Sequence, residues 1–460
     1  MIGGYVAPLT GKKALVLVDG EHYPDVVREA LRLLPCQVVG ALLVGGTEKL
    51  RGAPNFGVPL VSGNLAHAVA ACGAEVLVDL LDEPVVGGRE RMQYAAYAMA
   101  CGIGYAGADF YFAPPRPAAF DVPAISIAGT GKRIGKTAVS GHTARLLADR
   151  WKIVIVAMGR GGPAEPVVMT TSPDLARLLE LSRSGRHAAS DYIEDAVFAK
   201  VPTVGARRCG GGFAATPFTS NIEAAAALAA RLSPDLVLFE GSGTVLPPVQ
   251  ARRRILVVGG SQCPDRVLGY LGTYRVLVSD LVILTLADPH LDVRPLRKAI
   301  GQVRDVPLIA ATLRPRPTSD ICGRRVAFFT TAATSALPGM VEYLSTTYGA
   351  RVVHASSALA DRNRLRAELD AIDPEVYLVE LKAAAVDMVA EHAEKRGAPV
   401  VLCDTQVCPL PGDPSLDQAL LTLGSEAITN VEDGRDGRTG QTHDAPSPAG
   451  LAPHMPPPSG

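Results

Sequence analysis

Short apolar runs separated by polar or glycine-containing loops recur along the chain. The first three runs occupy residues 14–18, 38–44 and 75–80, and a loop and then a helical pattern follow each of them. A run of four to eight apolar residues has the length of a buried strand, and strands that alternate with helices are typical of a parallel sheet. The pattern therefore predicts a small Rossmann-like α/β domain over residues 1–120.

A second series of strands begins after a proline-rich segment at residues 113–117, which we expect to be a linker. The predicted strands are residues 124–128, 153–157, 236–239, 255–258, 281–286, 308–311, 326–330, 351–354, 376–380 and 400–403. We expect residues 121–425 to form a larger α/β domain with a parallel sheet. Residues 326–412 either continue that sheet or make a separate unit, and the pattern does not decide between these alternatives.

Composition agrees with layered α/β domains and sets the end of the chain apart. The 460 residues are 48% hydrophobic but only 5% aromatic, which suits small helical side chains packed on parallel strands. Residues 430–460 consist mainly of glycine, proline, aspartate, serine and threonine. Such a segment lacks the apolar side chains needed for docking, so we expect a disordered tail.

Charge and cysteine usage exclude several classes of function. The formal net charge is −1 and no basic stretch dominates, which argues against nucleic acid as a partner. The eight cysteines form no CxxC pair, which argues against zinc sites and redox dithiols. No apolar run is long enough to span a bilayer, and the N-terminus lacks a secretory pattern. We expect a cytoplasmic protein with no membrane partner.

The strongest chemical signal follows the predicted strand 124–128. The residues there are Gly129, Thr130, Gly131, Lys132, Arg133, Ile134, Gly135, Lys136 and Thr137, and an alanine-rich helical pattern comes next. A strand, a glycine-containing loop with Gly-Lys-Thr and a helix form a phosphate loop, whose N–H groups and helix N-terminus bind nucleotide phosphates. Thr130 departs from the usual spacing, which has glycine there. We expect these nine residues to bind ATP.

Two residues are expected to hold magnesium beside the nucleotide. Thr137 should bind Mg²⁺ through its hydroxyl, while Lys136 should contact the β- and γ-phosphates. Glu240 ends the apolar strand 236–239 and precedes Gly-Ser-Gly, and phosphate-loop enzymes need a carboxylate at such a strand end. The alternatives are a chance Gly-Lys-Thr at a helix start and a solvated glutamate.

These two motifs together resemble dethiobiotin synthetase and its relatives among the P-loop proteins. The loop of that family reads Gly-Thr-x-x-x-x-Gly-Lys-Thr, with the same displaced glycine, and its acidic strand end reads Glu-Gly-x-Gly followed by proline. Residues 129–137, residues 240–243 and Pro247 match this pattern. The resemblance covers residues 124–315 and implies ATP-dependent activation of an anionic oxygen.

A longer likeness, over residues 14–410, is to the cyclic 2,3-diphosphoglycerate synthetases. The segments that carry it, besides the phosphate loop, are DGEHYP at residues 19–24, MGRGGP at 158–163 and ELKAA at 380–384. Membership would imply that ATP drives ring closure of 2,3-diphosphoglycerate to a cyclic phosphoanhydride, with release of ADP and phosphate.

The resemblance also implies where the acid substrate and the catalytic cations lie. A substrate with two phosphates needs many cations beside ATP, and the expected catalytic residues are Lys132, Arg133, Lys136 and Arg160. Substrate binding is expected from Arg160, from His22 and Lys49 at strand ends of the first domain, and from Lys382. A surface arginine, a structural histidine and solvated lysines are the alternatives. A homodimer is the expected assembly, with the first domain as a candidate interface.

Two other functions fit the nucleotide half of the sequence. One is an ATP-dependent ligase or cyclase of the dethiobiotin synthetase type that acts on a carboxylate. The other is a nucleotide-driven switch or metallochaperone, which is disfavoured because no paired cysteine and histidine set appears. Assays with candidate acids distinguish these alternatives.

Overall fold

The structure is a computed structural model that describes residues 8–429 apart from Thr47, Pro84 and Pro289. The predicted disordered tail at residues 430–460 lies outside the described residues. The described part of the chain forms two sheets with helices between the strands. It contains no helix long and apolar enough to cross a membrane.

The smaller sheet comes first in the chain. Its elements are β1 (Lys13–Val18), α1 (Pro24–Leu33), β2 (Gln37–Leu43), α2 (Leu65–Cys72), β3 (Val76–Asp79), α3 (Gly88–Ala100), β4 (Gly104–Ala106) and β5 (Tyr111–Phe112). The strand order is β2-β1-β3-β4-β5, and every pair is parallel except β4 with β5. This confirms the predicted small α/β layer.

The larger sheet begins with the strand that carries the phosphate loop. Its first elements are β6 (Ala124–Gly129), α4 (Lys136–Ala148), β7 (Ile153–Gly159), β8 (Val167–Met169), α5 (Leu175–Arg183), α6 (Asp191–Ala199), β9 (Thr203–Cys209), β10 (Thr219–Ser220), α7 (Ile222–Arg231), β11 (Leu236–Glu240), β12 (Arg253–Gly259), α8 (Pro264–Leu268), α9 (Gly272–Leu277), β13 (Leu281–Thr285), α10 (Arg294–Val303) and β14 (Leu308–Pro317). The central strands β7, β11, β6, β12, β13 and β14 are parallel neighbours.

The rest of the described chain continues this sheet. Its elements are β15 (Arg325–Phe329), a 3₁₀ turn (Thr334–Ala336), α11 (Leu337–Tyr348), β16 (Arg351–Ser356), a second 3₁₀ turn (Ala358–Ala360), α12 (Arg362–Ala371), β17 (Val376–Glu380), a π-helical segment (Ala385–Ala390), α13 (Glu391–Lys395), β18 (Val400–Pro409) and α14 (Leu416–Thr429). Strand β18 pairs antiparallel with β14, from Ala311 opposite Pro409 to Pro317 opposite Cys403. The C-terminal strands are therefore hydrogen-bonded to the larger sheet through the pairing of β14 with β18.

Both faces of the larger sheet are covered, as its apolar strands require. Every residue of β6, β7 and β11 is buried, which is typical of a parallel sheet between helical layers. Helices α4 and α14 pack on one face, and α7 packs on the other. Helix α3 of the smaller sheet packs on α9, and one apolar core spans both sheets at this contact.

The register of the central strands fixes where the functional loops emerge. Glu240 on β11 pairs with Ile127 on β6 and with Ala157 on β7. All three strands are parallel, so the segments that follow them leave the sheet at the same edge. In open α/β sheets, ligands bind at this carboxyl edge.

Candidate active site

The phosphate loop closes tightly around the side chain of Lys136. A Cβ atom on Gly129 would lie 2.8 Å from Lys136 Cδ, so a larger residue there would displace the lysine. Gly135, the residue before α4, has a φ of +80°, a conformation that glycine adopts without steric cost. Lys136 Nζ donates a hydrogen bond to Gly131 O at 2.9 Å. The loop thus holds the ammonium group inside its own curve, as phosphate loops do.

Lys136 is buried, whereas the other cations of the loop are exposed. Desolvation lowers the pKa of the Lys136 ammonium, although the carboxylates of Glu240 and Asp191 act in the opposite direction. Lys132 and Arg133, which were predicted to be catalytic, are exposed, and Arg133 has a φ of +55°. These two side chains are therefore open to solvent, unlike that of Lys136.

Thr130 explains why this loop departs from the usual glycine spacing. Its side chain is buried and its Oγ1 donates to Gln262 Oε1, which also accepts a hydrogen bond from Gly259 N at 2.9 Å. Gln262 Nε2 in turn donates to Thr130 O at 3.3 Å. The threonine and Gln262, which sequence analysis missed, tie the phosphate loop to the end of β12.

The two predicted metal ligands lie in contact. Thr137 Oγ1 donates a hydrogen bond to Glu240 Oε1 at 2.8 Å. Glu240 is 3% exposed, and its Oε2 has no partner among the residues that the structure describes. Burial raises the pKa of the Glu240 carboxyl, and the charge of Asp191 adds to this effect, while the adjacent Asp195 carboxyl, Thr137 and Lys136 oppose it. The pair therefore has an oxygen available for a cation or a water molecule.

Helix α6 brings further carboxyl groups to this edge, and sequence analysis missed them. Asp195 is fully buried against the carboxyl of Glu240; within the described chain neither of its oxygens accepts a hydrogen bond from an N–H or hydroxyl group, and a proton on Asp195 joins the two carboxyl groups in a hydrogen bond. Burial and the charge of Glu240 raise the pKa of Asp195 well above its ordinary value. Asp191 lies one turn earlier, with Oδ2 3.3 Å from the position of a Cβ on Gly159.

Lys382 reaches the same helix from the C-terminal strands. It follows β17, and its Nζ pairs with Glu194 Oε1 at 3.3 Å, with 36% of the lysine side chain exposed. Burial raises the pKa of Glu194 to about 8, and the Glu194 carboxylate raises the pKa of Lys382. Lys382 also lowers the pKa of Lys136 through its charge. The two ammonium groups are therefore close enough for their charges to repel each other.

Arg160 leaves the sheet beside the loop that follows Glu240. Its segment lies flat on β9, because a Cβ on Gly162 would lie only 2.0 Å from Ala206 O. The Arg160 guanidinium extends over Gly243, where an added Cβ would meet Nη2 at 2.5 Å. Glycines at both positions therefore allow Arg160 to approach the Glu240 loop.

A second arginine, Arg208 on β9, lies next to Arg160. Its Nη1 donates to Gly210 O at 2.5 Å and its Nη2 donates to Ser242 O at 2.7 Å. Burial lowers the pKa of Arg208, and the neighbouring charge of Arg160 lowers it further. Arg208 was not among the predicted site residues.

The predicted residues of the first domain have a different environment. His22 Nδ1 lies 2.8 Å from Oδ1 of the buried Asp19, whose other oxygen accepts a hydrogen bond from Asp82 N at 2.8 Å. The ammonium of Lys49 pairs with Glu48. Within the described chain, the polar contacts of His22 and Lys49 stay among the loops of the smaller sheet.

The structure therefore divides the predicted residues into two groups. Five of them lie near one another: Lys136, Thr137, Arg160 and Glu240 at the carboxyl edge of the central strands, and Lys382, which reaches them from the end of the antiparallel strand β17. His22 and Lys49 are outside this group. A signal for the missed carboxylates was present, since α6 reads DYIEDAVFA and places three acidic residues in an otherwise apolar helix.

Three family models match the chain in sequence. Their descriptions are cyclic 2,3-diphosphoglycerate synthetase N-terminal domain (residues 13–113), P-loop domain (124–312) and C-terminal domain (317–406). A Rubrobacter xylanophilus protein named cyclic 2,3-diphosphoglycerate synthetase is 43% identical over 438 residues, which cover 90% of this chain and 98% of the relative. A Thermococcus kodakarensis protein of the same name is 39% identical over 434 residues, 90% of this chain and 99% of the relative.

Similarity to solved structures is more distant. LpxK from Aquifex aeolicus, crystallised in complex with ATP, aligns with 74% of this chain and 96% of its own, at a TM-score of 0.43 and 13% sequence identity. A likeness at this level carries no inference about the site.

Proposed function

The chain belongs to the cyclic 2,3-diphosphoglycerate synthetase family, and from this premise we propose that it closes 2,3-diphosphoglycerate into its cyclic phosphoanhydride. The protein is an ATP-dependent ligase that releases ADP and phosphate. The observation that carries the proposal is the match along about 90% of the chain to proteins of this name, with the phosphate loop intact.

We assign ATP to the loop of residues 129–137. The buried ammonium of Lys136, which donates to Gly131 O across the loop, suits the β- and γ-phosphates, and backbone N–H groups at such a loop and helix N-terminus bind nucleotide phosphates. Lys132 and Arg133 are exposed and would contact the phosphates from solvent. These roles follow from the loop geometry and from the requirement to balance several negative charges.

The residues at Thr137 and Glu240 fit a magnesium ion. Mg²⁺ prefers oxygen ligands and usually binds one or two carboxylates together with nucleotide phosphates. Here a hydroxyl and a carboxylate are in contact, and Glu240 Oε2 is buried without a partner in the described chain. The described residues contain no group of three or more His, Cys, Asp and Glu side chains placed to hold a metal, so the nucleotide would supply other ligands. Bound there, the ion would neutralise developing charge on the transferred phosphoryl group.

The reaction needs two displacements. An oxygen of one substrate phosphate attacks the γ-phosphorus of ATP, the bond to the β-phosphate oxygen breaks, and ADP leaves. An oxygen of the other substrate phosphate then attacks the activated phosphorus, and inorganic phosphate leaves as the ring closes. Neither step requires a covalent enzyme intermediate, so the contribution of this chain is to hold the phosphate groups of ATP and of the acid substrate in place and to neutralise their charge.

We assign the acid substrate to the cations that face the nucleotide. Arg160 lies beside the Glu240 loop, and Lys382 shares the electrostatic environment of Lys136. Lys382 is held by Glu194 and is still about a third exposed, so it can contact an anion without breaking that pair. His22 and Lys49 are assigned to the same substrate with less support, because their contacts involve carboxylates of the smaller sheet.

The experiment is a balance of reactants and products. The protein is incubated with ATP, Mg²⁺ and 2,3-diphosphoglycerate, and ³¹P NMR follows ADP, inorganic phosphate and the cyclic anhydride. We expect the three products in equal amounts, and no anhydride when 3-phosphoglycerate replaces the substrate. ATP hydrolysis at the same rate with and without 2,3-diphosphoglycerate would contradict the proposal and favour the nucleotide-switch alternative.

A further inference from the structure

Two arginine side chains lie together beside the phosphate loop. A Cβ atom on Gly243 would lie 2.5 Å from Arg160 Nη2 and 3.3 Å from Arg208 Nη2. Both guanidinium groups therefore lie over Gly243. The influences that act on Arg208 are its own burial, the charge of Arg160 and the thiol of Cys209, and no carboxylate of the described chain is among them. Two like charges this close repel each other unless an anion binds near them.

Arg208 is held rigidly although its charge is not neutralised. It is 9% exposed, and the carbonyl oxygens of Gly210 and Ser242 fix its two Nη atoms. Its Nε is buried and has no hydrogen-bond partner in the part of the chain that the structure describes. Carbonyl oxygens orient a guanidinium but carry no net charge, so a buried cation of this kind still needs an anion to offset its desolvation.

The arginines are adjacent to the expected nucleotide site. Glu240 precedes Gly243 by three residues, so their Cα atoms are at most roughly 11 Å apart. The charge of Arg208 also lowers the pKa of Lys136, whose ammonium lies inside the phosphate loop. An anion bound by the two arginines would therefore lie next to the position of the terminal nucleotide phosphate.

We propose that Arg208 and Arg160 together bind one phosphate group of the acid substrate and place it next to the γ-phosphate of ATP. The inference rests on the proposed function and adds a binding residue to it. A guanidinium offers planar, paired donors that match phosphate oxygens, and two of them match a phosphate dianion in charge. The fixed Arg208 sets the position of the phosphate, and the exposed Arg160 completes the site.

A purely structural role for Arg208 makes a different prediction. If the arginine only joined the segments around Gly210 and Ser242, its loss would loosen both segments. The melting temperature and the affinities for both substrates would then fall together. A phosphate-binding role instead affects the acid and spares the nucleotide.

The test compares the full-length wild type with Arg208→Gln, Arg208→Lys, Arg160→Gln and the double variant Arg160→Gln/Arg208→Gln. Arg207→Gln is the matched control, because Arg207 is the neighbouring residue and is exposed on the other side of β9. Calorimetry gives the Kd of 2,3-diphosphoglycerate and of ATP for each protein, and thermal melting monitors the fold. Glutamine retains an amide that can donate to one of the two carbonyl groups, and lysine retains the charge.

We expect Arg208→Gln and Arg160→Gln each to raise the Kd of 2,3-diphosphoglycerate at least tenfold, with the Kd of ATP changed less than twofold. Arg208→Lys should give an intermediate Kd, and Arg207→Gln should behave as the wild type. Because both arginines bind one phosphate, the double variant should lose less affinity than the product of the two single effects.

Three results would overturn the arginine site while leaving the proposed function in place. The first is a folded Arg208→Gln protein with an unchanged Kd for 2,3-diphosphoglycerate. The second is a parallel loss of ATP affinity and melting temperature in both Arg208 variants. The third is a double variant whose loss equals the product of the single effects. A wild type that neither binds nor converts 2,3-diphosphoglycerate would instead refute the proposed function, and this assignment with it.

Discussion

The carboxyl edges of the two sheets differ in how their charged residues are arranged: cations stand beside the carboxyl groups on the larger sheet, whereas buried carboxylates held by neighbouring donors end two strands of the smaller sheet. On the larger sheet, Lys136 and Arg160 lie in the segments that follow β6 and β7, and Lys382 comes close to Lys136 from the end of the antiparallel strand β17. On the smaller sheet, β1 and β3 end in the buried carboxylates of Asp19 and Asp79. Parallel sheets place ligands at this edge, yet only the first of these two edges is suited to a strongly anionic ligand. A residue at a strand end therefore indicates a binding site for an anion only when it is a cation.

The partners of the acidic residues explain the difference. Asp79 accepts hydrogen bonds from Tyr105 Oη at 2.5 Å and from Arg91 Nε at 3.1 Å. Asp19 accepts hydrogen bonds from the backbone N–H groups of Glu21 and Asp82, and it contacts His22. These carboxylates hold the loops of the smaller sheet in place, whereas the carboxylates near the phosphate loop have oxygens without donors in the described chain.

The largest effect is expected from Lys136→Ala. Removing the buried cation next to the γ-phosphate should lower turnover at least about a thousandfold, roughly 4 kcal/mol of barrier. ADP release measures the rate and circular dichroism monitors the fold. Lys298→Ala, which changes an exposed lysine of α10, is the control and should keep the wild-type rate. Near-normal turnover in a folded Lys136→Ala protein would remove the phosphate loop from the reaction.

Glu240→Gln should have the next largest effect. A neutral amide holds a magnesium ion poorly, so the Mg²⁺ concentration for half-maximal rate should rise about tenfold or more, and the phosphoryl step should slow. A magnesium titration of the steady-state rate measures the change. Glu223→Gln on α7, an exposed position, is the matched control. Superimposable titrations of Glu240→Gln and wild type would show that this carboxylate is not a ligand.

Lys382→Gln is expected to affect the acid substrate alone. Loss of one charge-assisted contact should weaken binding of 2,3-diphosphoglycerate by about 1–3 kcal/mol, while ATP affinity stays within error. Calorimetry measures both affinities, and Lys395→Gln on α13 serves as an exposed control. If both affinities of Lys382→Gln matched the wild type, Lys382 would only pair with Glu194.

The raised pKa of Glu194 predicts how stability without ligands depends on pH. The folded-state pKa is about 8, against an ordinary value of 4.5, so between these values the folded protein retains a proton that the unfolded chain has lost. This contribution to stability is complete below about pH 4.5 and is lost as the pH rises to about 8, with a slope of up to ~1.4 kcal/mol per pH unit. Denaturant titrations at several pH values give the free energy of unfolding, which should change less per pH unit in Glu194→Gln than in the wild type. The same dependence of the unfolding free energy on pH in both proteins would contradict the prediction.

The smallest effects are expected at the smaller sheet. His22→Ala and Lys49→Ala should weaken binding of 2,3-diphosphoglycerate by about 1 kcal/mol, at the lower end of the range for a charge-assisted contact. Calorimetry on these variants decides whether the first domain contributes to the acid site. Losses as large as that in Lys382→Gln would remove the distinction between the two edges, and unchanged affinities would confine the site to the larger sheet.

The sequence predicted the elements that depend on local pattern. Apolar runs of strand length and a glycine-containing loop before a helix are visible in a single segment, so the longer buried strands and the phosphate loop were predicted, whereas β9, which carries Arg208, was not. Arg208 was missed because a basic residue in the strand TVGARRC gives no local sign of the second arginine that lies next to it. Its role depends on Arg160 and Gly243, which are distant in the chain.

The continuity of the larger sheet was equally inaccessible. Strands β14 and β18 are separated by more than eighty residues of chain, and their pairing is antiparallel in an otherwise mostly parallel sheet. Such pairing depends on tertiary packing, because the paired halves of the two strands mix apolar with polar residues and no local pattern indicates which strand each will pair with. Long-range contacts of this kind also place Lys382 near the phosphate loop.

The ladder between β14 and β18 also determines how the chain can be divided. The strand β14 leaves the phosphate-loop layer, β18 returns beside it, and α14 then packs on α4, the helix that begins with Lys136. In terms of chain architecture, the unit of residues 325–403 is therefore an insertion into the nucleotide-binding layer rather than an appendage. Truncation before α14 would strip the covering from α4, whereas excision of the insertion with β14 rejoined to β18 by a short hairpin turn would preserve that layer and remove Lys382.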